Sequence, residues 1–181
     1  MRLIFAAAVL AAASATPALA QDEGNAGFAG AHVEVVGGVD IIRAGGDAKS
    51  GGVYGIAGGF DFGGASNIVF GVEAEGTEST LQQCVEGVCL KAGRDLYAGG
   101  RAGFQVSDDA LIYAKAGYTN FRVKATDGDV SAGTNLDGLR AGAGVEWSTA
   151  SGMLVKVEYR YSNYEAGVTR HQGVVGLGFR F

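Results

Sequence analysis

Apolar and polar residues alternate with a period of two in eight segments of the chain, and residues so spaced lie on opposite faces of β-strands. The clearest segment runs from His171 to Phe181. There Gly173, Val175, Leu177, Phe179 and Phe181 share a wholly apolar face, and Gln172, Val174, Gly176, Gly178 and Arg180 share the other. The pattern predicts seven further strands, near 28–41, 53–62, 68–78, 95–106, 110–123, 136–148 and 153–164. In the first, Val33, Val35, Val39 and Ile41 oppose His32, Glu34 and Asp40; in the seventh, Val155, Val157, Tyr159 and Tyr161 oppose Lys156, Glu158 and Arg160. The fifth strand has two candidate registers, and facing Ile112, Ala114, Ala116 and Tyr118 outward keeps Lys115 inside. The alternative places Lys115 in lipid at a cost of about 2–4 kcal/mol near the midplane.

The connections alternate in kind. Short turns at 63–67, 107–109 and 149–152 separate longer polar stretches near 43–51, 79–93, 124–135 and 163–170. Short periplasmic turns and longer outer loops are the layout of an outer-membrane barrel. With the N-terminus in the periplasm, Phe60, Phe62, Phe70, Phe104, Trp147, Phe179 and Phe181 fall near one rim, and Tyr54, Tyr118, Tyr159 and Tyr161 near the other. Two aromatic girdles are expected of a barrel that spans a bilayer. The predicted fold class is all-β, an eight-stranded antiparallel up-and-down transmembrane β-barrel.

Composition agrees with this reading. The 32 glycines lie among regular apolar alternation, and the one proline, Pro17, lies before the first strand, so no predicted ladder loses a hydrogen bond to proline. Met1-Arg2, the apolar run from Leu3, Pro17 and the small-residue pattern Ala18-Leu19-Ala20 read as a cleaved secretory signal over residues 1–20. Residues 21–181 then form the barrel domain. The run is too short for a helical span, which needs about twenty apolar residues. A formal net charge of −5 without a basic stripe excludes nucleic acid as an expected partner.

The signal segment, the eight alternating strands, the run Val155-Lys156-Val157-Glu158-Tyr159-Arg160-Tyr161 and the ending Gly178-Phe179-Arg180-Phe181 resemble the small outer-membrane β-barrel family of OmpA-type and opacity-type proteins. The resemblance implies an outer-membrane location and outer-membrane lipid as a partner. It also implies assembly by the outer-membrane insertion machinery, with Phe179 and Phe181 as the assembly signal.

Chemistry is concentrated on the inward faces. They carry Glu34, Asp61, Glu73, Glu75, Glu146 and Glu158 against Arg101, Lys115, Arg140, Lys156, Arg160 and Arg180. A lumen of eight strands is only wide enough for side chains to fill it, and buried charges must pair or coordinate something. The expectation is a salt-bridge network that plugs the lumen, with a narrow ion path as the alternative. Cys84 and Cys89, an even pair in an exported chain, are expected to form a disulfide in the second outer loop. A zinc site would want about four ligands, and neither His32 nor His171 adjoins the cysteines in sequence. His171, with Ser162 and Glu165 in the neighbouring strand and loop, is the position at which a lipid- or peptide-cleaving activity would be sought.

The expected function is therefore a structural outer-membrane barrel, contributing to envelope integrity and presenting surface loops, rather than an enzyme. A narrow porin-like channel is the second reading and an envelope enzyme the third. No cofactor or metal is expected. A surface ligand or host receptor has no recognisable motif here.

Overall fold

A computed structural model describes residues 28–63, 67–85, 88–127 and 130–181. The segment 1–20 read as a signal, and part of the first short turn, lie outside the described residues. The described residues form nine strands: β1 (Gly30–Ala44), β2 (Asp47–Gly63), β3 (Ile68–Ser79), β4 (Gln82–Val85), β5 (Val88–Ser107), β6 (Ala110–Asp127), β7 (Val130–Ser148), β8 (Met153–Tyr164) and β9 (Thr169–Arg180). All pairings are antiparallel, in the order β3-β2-β1-β9-β8-β7-β6-β5, and a β3–β5 ladder closes the ring. Eight strands thus make the barrel. The short β4 stands outside the ring and pairs only with the start of β5.

A closed ring leaves no unpaired edge, which a hydrocarbon environment requires of any sheet. The faces are inverted relative to a soluble protein. Leu139 is 72% exposed and Val35 60%, whereas Arg140 is 1% exposed and Lys156 0%. Apolar patches on this scale seldom stay in water; here they are the lipid-facing wall. Lys115 points inward, as the energetic argument requires. Phe62, Phe70, Phe104, Trp147, Phe179 and Phe181 project outward at the end holding the short turns, and Tyr54, Tyr118, Tyr159 and Tyr161 project outward toward the other.

The strands run farther than alternation predicts. Three of the four polar stretches expected as loops are largely ladder: β1 and β2 pair as far as Ala44 and Asp47, β5 starts at Val88, and β6 and β7 pair as far as Asp127 and Val130. Above the outer rim both faces of a hairpin meet water, so polar and small residues replace the apolar set while the backbone bonds continue. The fourth connection holds a single 3-10 turn, Glu165–Gly167.

Inward glycines make room for the charged side chains. A Cβ on Gly176 would collide with Glu34 Oε2 and, at 2.8 Å, with Lys156 Cγ; one on Gly71 would collide with Asp61.

Cys84 and Cys89 face each other across the β4–β5 hairpin and form a disulfide. Closing so short a ring is worth about 2 kcal/mol in the chain-entropy model. Replacing both cysteines with serine is expected to raise protease cleavage within 80–92, with the barrel's heat-modifiable migration in detergent gels unchanged. Loss of that folded band would mean the bridge supports the whole barrel.

Candidate functional site

The lumen contains eight buried carboxylates and seven buried cations among the described residues. All twelve charges assigned inward from the sequence are among them, none more than 9% exposed. The other three are Asp40, Asp95 and Arg170. Each of the fifteen has an opposite charge within 4.0 Å, and the pairs fall into three tiers.

The tier nearest the short turns is a ring of alternating charge. Arg101 donates from Nε to Asp61 Oδ1 at 2.7 Å and from Nη1 to Glu146 Oε2 at 2.8 Å. Arg180 donates from Nη1 to Asp61 Oδ2 at 2.8 Å and from Nη2 to Glu146 Oε1 at 2.5 Å. Each guanidinium therefore bridges both acids, the fork geometry that makes arginine suited to this role. His32 Nδ1 lies 3.4 Å from Asp61. Below the ring, Phe28, Val69, Leu111 and Tyr113 form an apolar cluster, and Arg180 also donates to the Phe28 carbonyl at 2.6 Å.

The middle tier is a lysine–glutamate mesh. Lys115 Nζ lies 2.5 Å from Glu73 and 2.8 Å from Glu158. Lys156 contacts Glu34 and lies 3.5 Å from Glu73. Arg160 grips Glu75 at 2.5 and 2.6 Å and also contacts Glu158, which accepts a bond from Tyr113 Oη at 2.5 Å. Ligand atoms of His32, Glu34 and Glu73 lie within 4.8 Å of one another, but the Lys156 ammonium already lies between the two carboxylates and supplies the positive charge.

The outer tier joins Arg140, assigned inward from the sequence, to Asp40, Asp95 and Arg170, which that list of twelve lacks. Arg170 takes both oxygens of Asp40, at 2.8 and 2.7 Å, and reaches Asp95 at 2.6 Å. Asp95 also contacts Arg140 and accepts from Tyr164 Oη at 2.7 Å and Thr119 Oγ1 at 2.6 Å. Arg140 continues to Glu75 at 3.0 Å, which ties this tier to the middle one. Arg170 was missed because it falls in the stretch expected as a loop; its inward parity with Gln172 was the available signal. Above this tier, Ala92, Phe121 and Tyr164 pack with Ile42, Leu81, Val123, Leu136 and Val168 as a second apolar cluster.

His171 and Ser162 do not meet. Tyr161 pairs with His171 and Ser162 with Arg170, so the two side chains are on opposite faces of the sheet. His171 is on the outer wall, bonded through Nδ1 to Tyr159 Oη at 2.7 Å, with its ring centroid 5.0 Å from that of Tyr161 at a tilt of 55°. Ser162 is inside, accepting from Arg140 Nε at 2.9 Å. Hydrogen-bond reach between nucleophile and base, which such a pair needs, is absent between these two residues. Phe179 and Phe181 stand at the opposite rim, 56% and 78% exposed.

Comparisons with known proteins agree with this architecture. The family described as outer membrane protein beta-barrel domain matches residues 5–181. The 25 kDa outer-membrane immunogenic protein of Brucella ovis is 29% identical over 114 residues, 63% of this chain and 56% of that protein. The chain thus spans little more than half the length of that curated relative. Among solved structures, Neisserial surface protein A has a TM-score of 0.66 at 15% identity, covering 83% of this chain and 97% of its own. The attachment invasion locus protein Ail of Yersinia pestis, solved with the heparin analogue sucrose octasulfate, has a TM-score of 0.65 at 15% identity, covering 85% of this chain and 100% of its own. At these identities the two structures speak for the fold alone. With a closed eight-stranded ring, an apolar outer wall and a charged interior already in place, the match over residues 5–181 means that this chain belongs to the outer membrane protein beta-barrel domain family.

Proposed function

We propose that the protein is a structural barrel of the outer membrane whose lumen is plugged by its own ion pairs, and whose outer hairpins are its working surface. One observation carries the reading: every inward charge among the described residues is paired, and apolar clusters lie above and below the charged tiers. A permeating ion would have to displace a paired side chain at each tier. No catalytic role is assigned to His171, whose ring is engaged by two tyrosines on the lipid-facing wall. Phe179 and Phe181 are assigned to recognition by the insertion machinery on the strength of the family resemblance. The cleaved signal at residues 1–20 belongs to the same proposal.

Planar-bilayer recording tests the plug directly. The wild-type protein is expected to give little or no steady conductance, and Arg140→Ala or Glu146→Ala to give more, because either deletion opens space and admits water among the remaining charges. A large, stable wild-type conductance unchanged by these substitutions would replace this reading with that of a narrow channel.

A further inference from the structure

Among the described residues Phe28 precedes every ladder of the barrel, since β1 begins at Gly30, and yet it is fully buried. A large apolar side chain just ahead of the first strand would ordinarily lie in water or against lipid. Here it clusters with Val69 of β3 and with Leu111 and Tyr113 of β6. In the closed ring β6 is four strands from β1 in either direction, so the two stand on opposite sides of the lumen. A residue that enters from β1 and packs with β6 lies across the mouth rather than along its wall.

Two features hold it there. Gly30 has a φ of 117°, a conformation that residues with a Cβ disfavour. A Cβ added here would come within 2.2 Å of the Phe181 carbonyl oxygen, and Phe181 N in turn donates to the Ala31 carbonyl at 2.8 Å. The chain thus turns into the lumen where the last strand is bonded to the first, and the turn needs glycine. The second feature is Arg180. Its Nη1 donates to the Phe28 carbonyl at 2.6 Å, and its guanidinium carbon lies 5.7 Å from the centre of the Phe28 ring. The same guanidinium bridges Asp61 and Glu146. A backbone carbonyl outside the ladder, which must find a partner once buried, is therefore satisfied by the lowest ring of charge. Gly30 is the hinge and Arg180 the latch.

We propose that Phe28 is a stopper: the chain ahead of β1 folds back into the barrel, closes its short-turn mouth and seals the ring of Arg101, Asp61, Arg180 and Glu146 from the water below. Short turns of an outer-membrane barrel face the periplasm, so this is the periplasmic mouth. The stopper rests on the plug reading and adds to it a part that is not built into the wall. A wall residue leaves its place only if a ladder opens. Phe28 can swing out on Gly30 with every ladder intact, because no pairing among the described residues includes it. The two mouths are therefore unequal. The outer one is capped by apolar residues of the strands and their connections, whereas the base is completed by one side chain from outside them.

Limited proteolysis of the folded protein in dodecyl maltoside reads the stopper without any substitution. Chymotrypsin takes large apolar side chains, and the wild type is expected to resist cutting between Phe28 and Ala29. Gly30→Ala is expected to expose that bond, leaving a barrel that begins at Ala29 and keeps its heat-modifiable band. A thiol reports the mouth itself. The native cysteines are joined in a disulfide, so Val69→Cys gives one free thiol in the cluster around Phe28. Its reaction with a charged methanethiosulfonate reagent is expected to be slow. Adding Gly30→Ala or Phe28→Ala is expected to raise the rate roughly 10- to 100-fold, the worth of burying one phenylalanine. Phe28→Leu, which keeps an apolar plug, is expected to react nearly as slowly as the parent. Arg140→Ala, which breaks the outer tier alone, is expected to leave the thiol protected; a general loosening of the lumen would not. If Phe28→Ala fails to fold, the wild-type digestion still decides. Cleavage after Phe28 in a folded, non-conducting wild type would overturn the stopper and leave the charge plug standing. Equal thiol reaction with and without the Phe28 ring would overturn the seal. Steady conductance in a wild type whose Phe28 resists cleavage would overturn plug and seal together.

Discussion

Arg170→Ala is expected to destabilise the barrel by about 3–5 kcal/mol, the usual cost of leaving a buried charge without its partner. Asp40 has no other cation in the network and would keep only the hydroxyl of Ser79, at 2.7 Å. Arg140→Ala is expected to cost less, about 3 kcal/mol, toward the lower end of that range, although Arg140 touches two acids. Glu75 would retain Arg160 and Asp95 would retain Arg170. Urea unfolding of the protein in lipid vesicles measures both, with Lys49→Ala as an exposed control. The double variant Asp40→Ala/Arg170→Ala is expected to lose much less than the sum of the single changes, since neighbours in one network are not additive. Equal effects for Arg170, Arg140 and Lys49 would mean that the lumen pairs do not hold the fold.

On the other face of the wall the expectation concerns depth. Val175 is 49% exposed and lies midway along β9 between the rim residue Phe179 and His171 beside the outer tyrosines. Val175→Arg is expected to cost about 2–4 kcal/mol in vesicles, and Phe179→Arg no more than about 1 kcal/mol for its lipid exposure, because the penalty falls toward the interface. The same unfolding measurement gives the depth profile. A tolerated arginine at Val175 would mean that this face of β9 does not meet hydrocarbon.

Much of this architecture was legible before any coordinates, because a membrane barrel writes its two environments into alternate residues. The pairing of Val155, Val157 and Tyr159 against Lys156, Glu158 and Arg160 is enough to orient β8. Lys115 needed energetics, since both faces of β6 carry small and apolar residues. Partner choice was not legible. Arg101 meets Glu146 because β5 and β7 flank β6 and the curvature of the sheet turns their inward side chains toward each other, and nothing local in either strand specifies it. Arg170 was hidden for a different reason. Alternation of apolar and polar residues reports where lipid is, not where the ladder ends, so Arg170 and the ends of β5, β6 and β7 fell outside the predicted strands.

The seam between β1 and β9 joins residues almost a chain length apart, in a ladder from His32–Arg180 to Arg43–Thr169. Charges bridge the same seam from within: Arg170 holds Asp40 from the adjoining strand, and Arg180 reaches past β1 to Asp61 on β2. Long-range contacts of this kind are slow to form, because loop closure is paid in entropy before any contact rewards it. Here the last backbone bonds and the neutralisation of the interior arrive together. A half-closed sheet would leave Asp40 without its cation and take one acid each from Arg170 and Arg180, which would keep Asp95 and Glu146, so lipid itself selects against the open ring. Folding of this chain is accordingly expected to be a concerted insertion and closure, with the ion pairs acting as the latch that makes the final step steep.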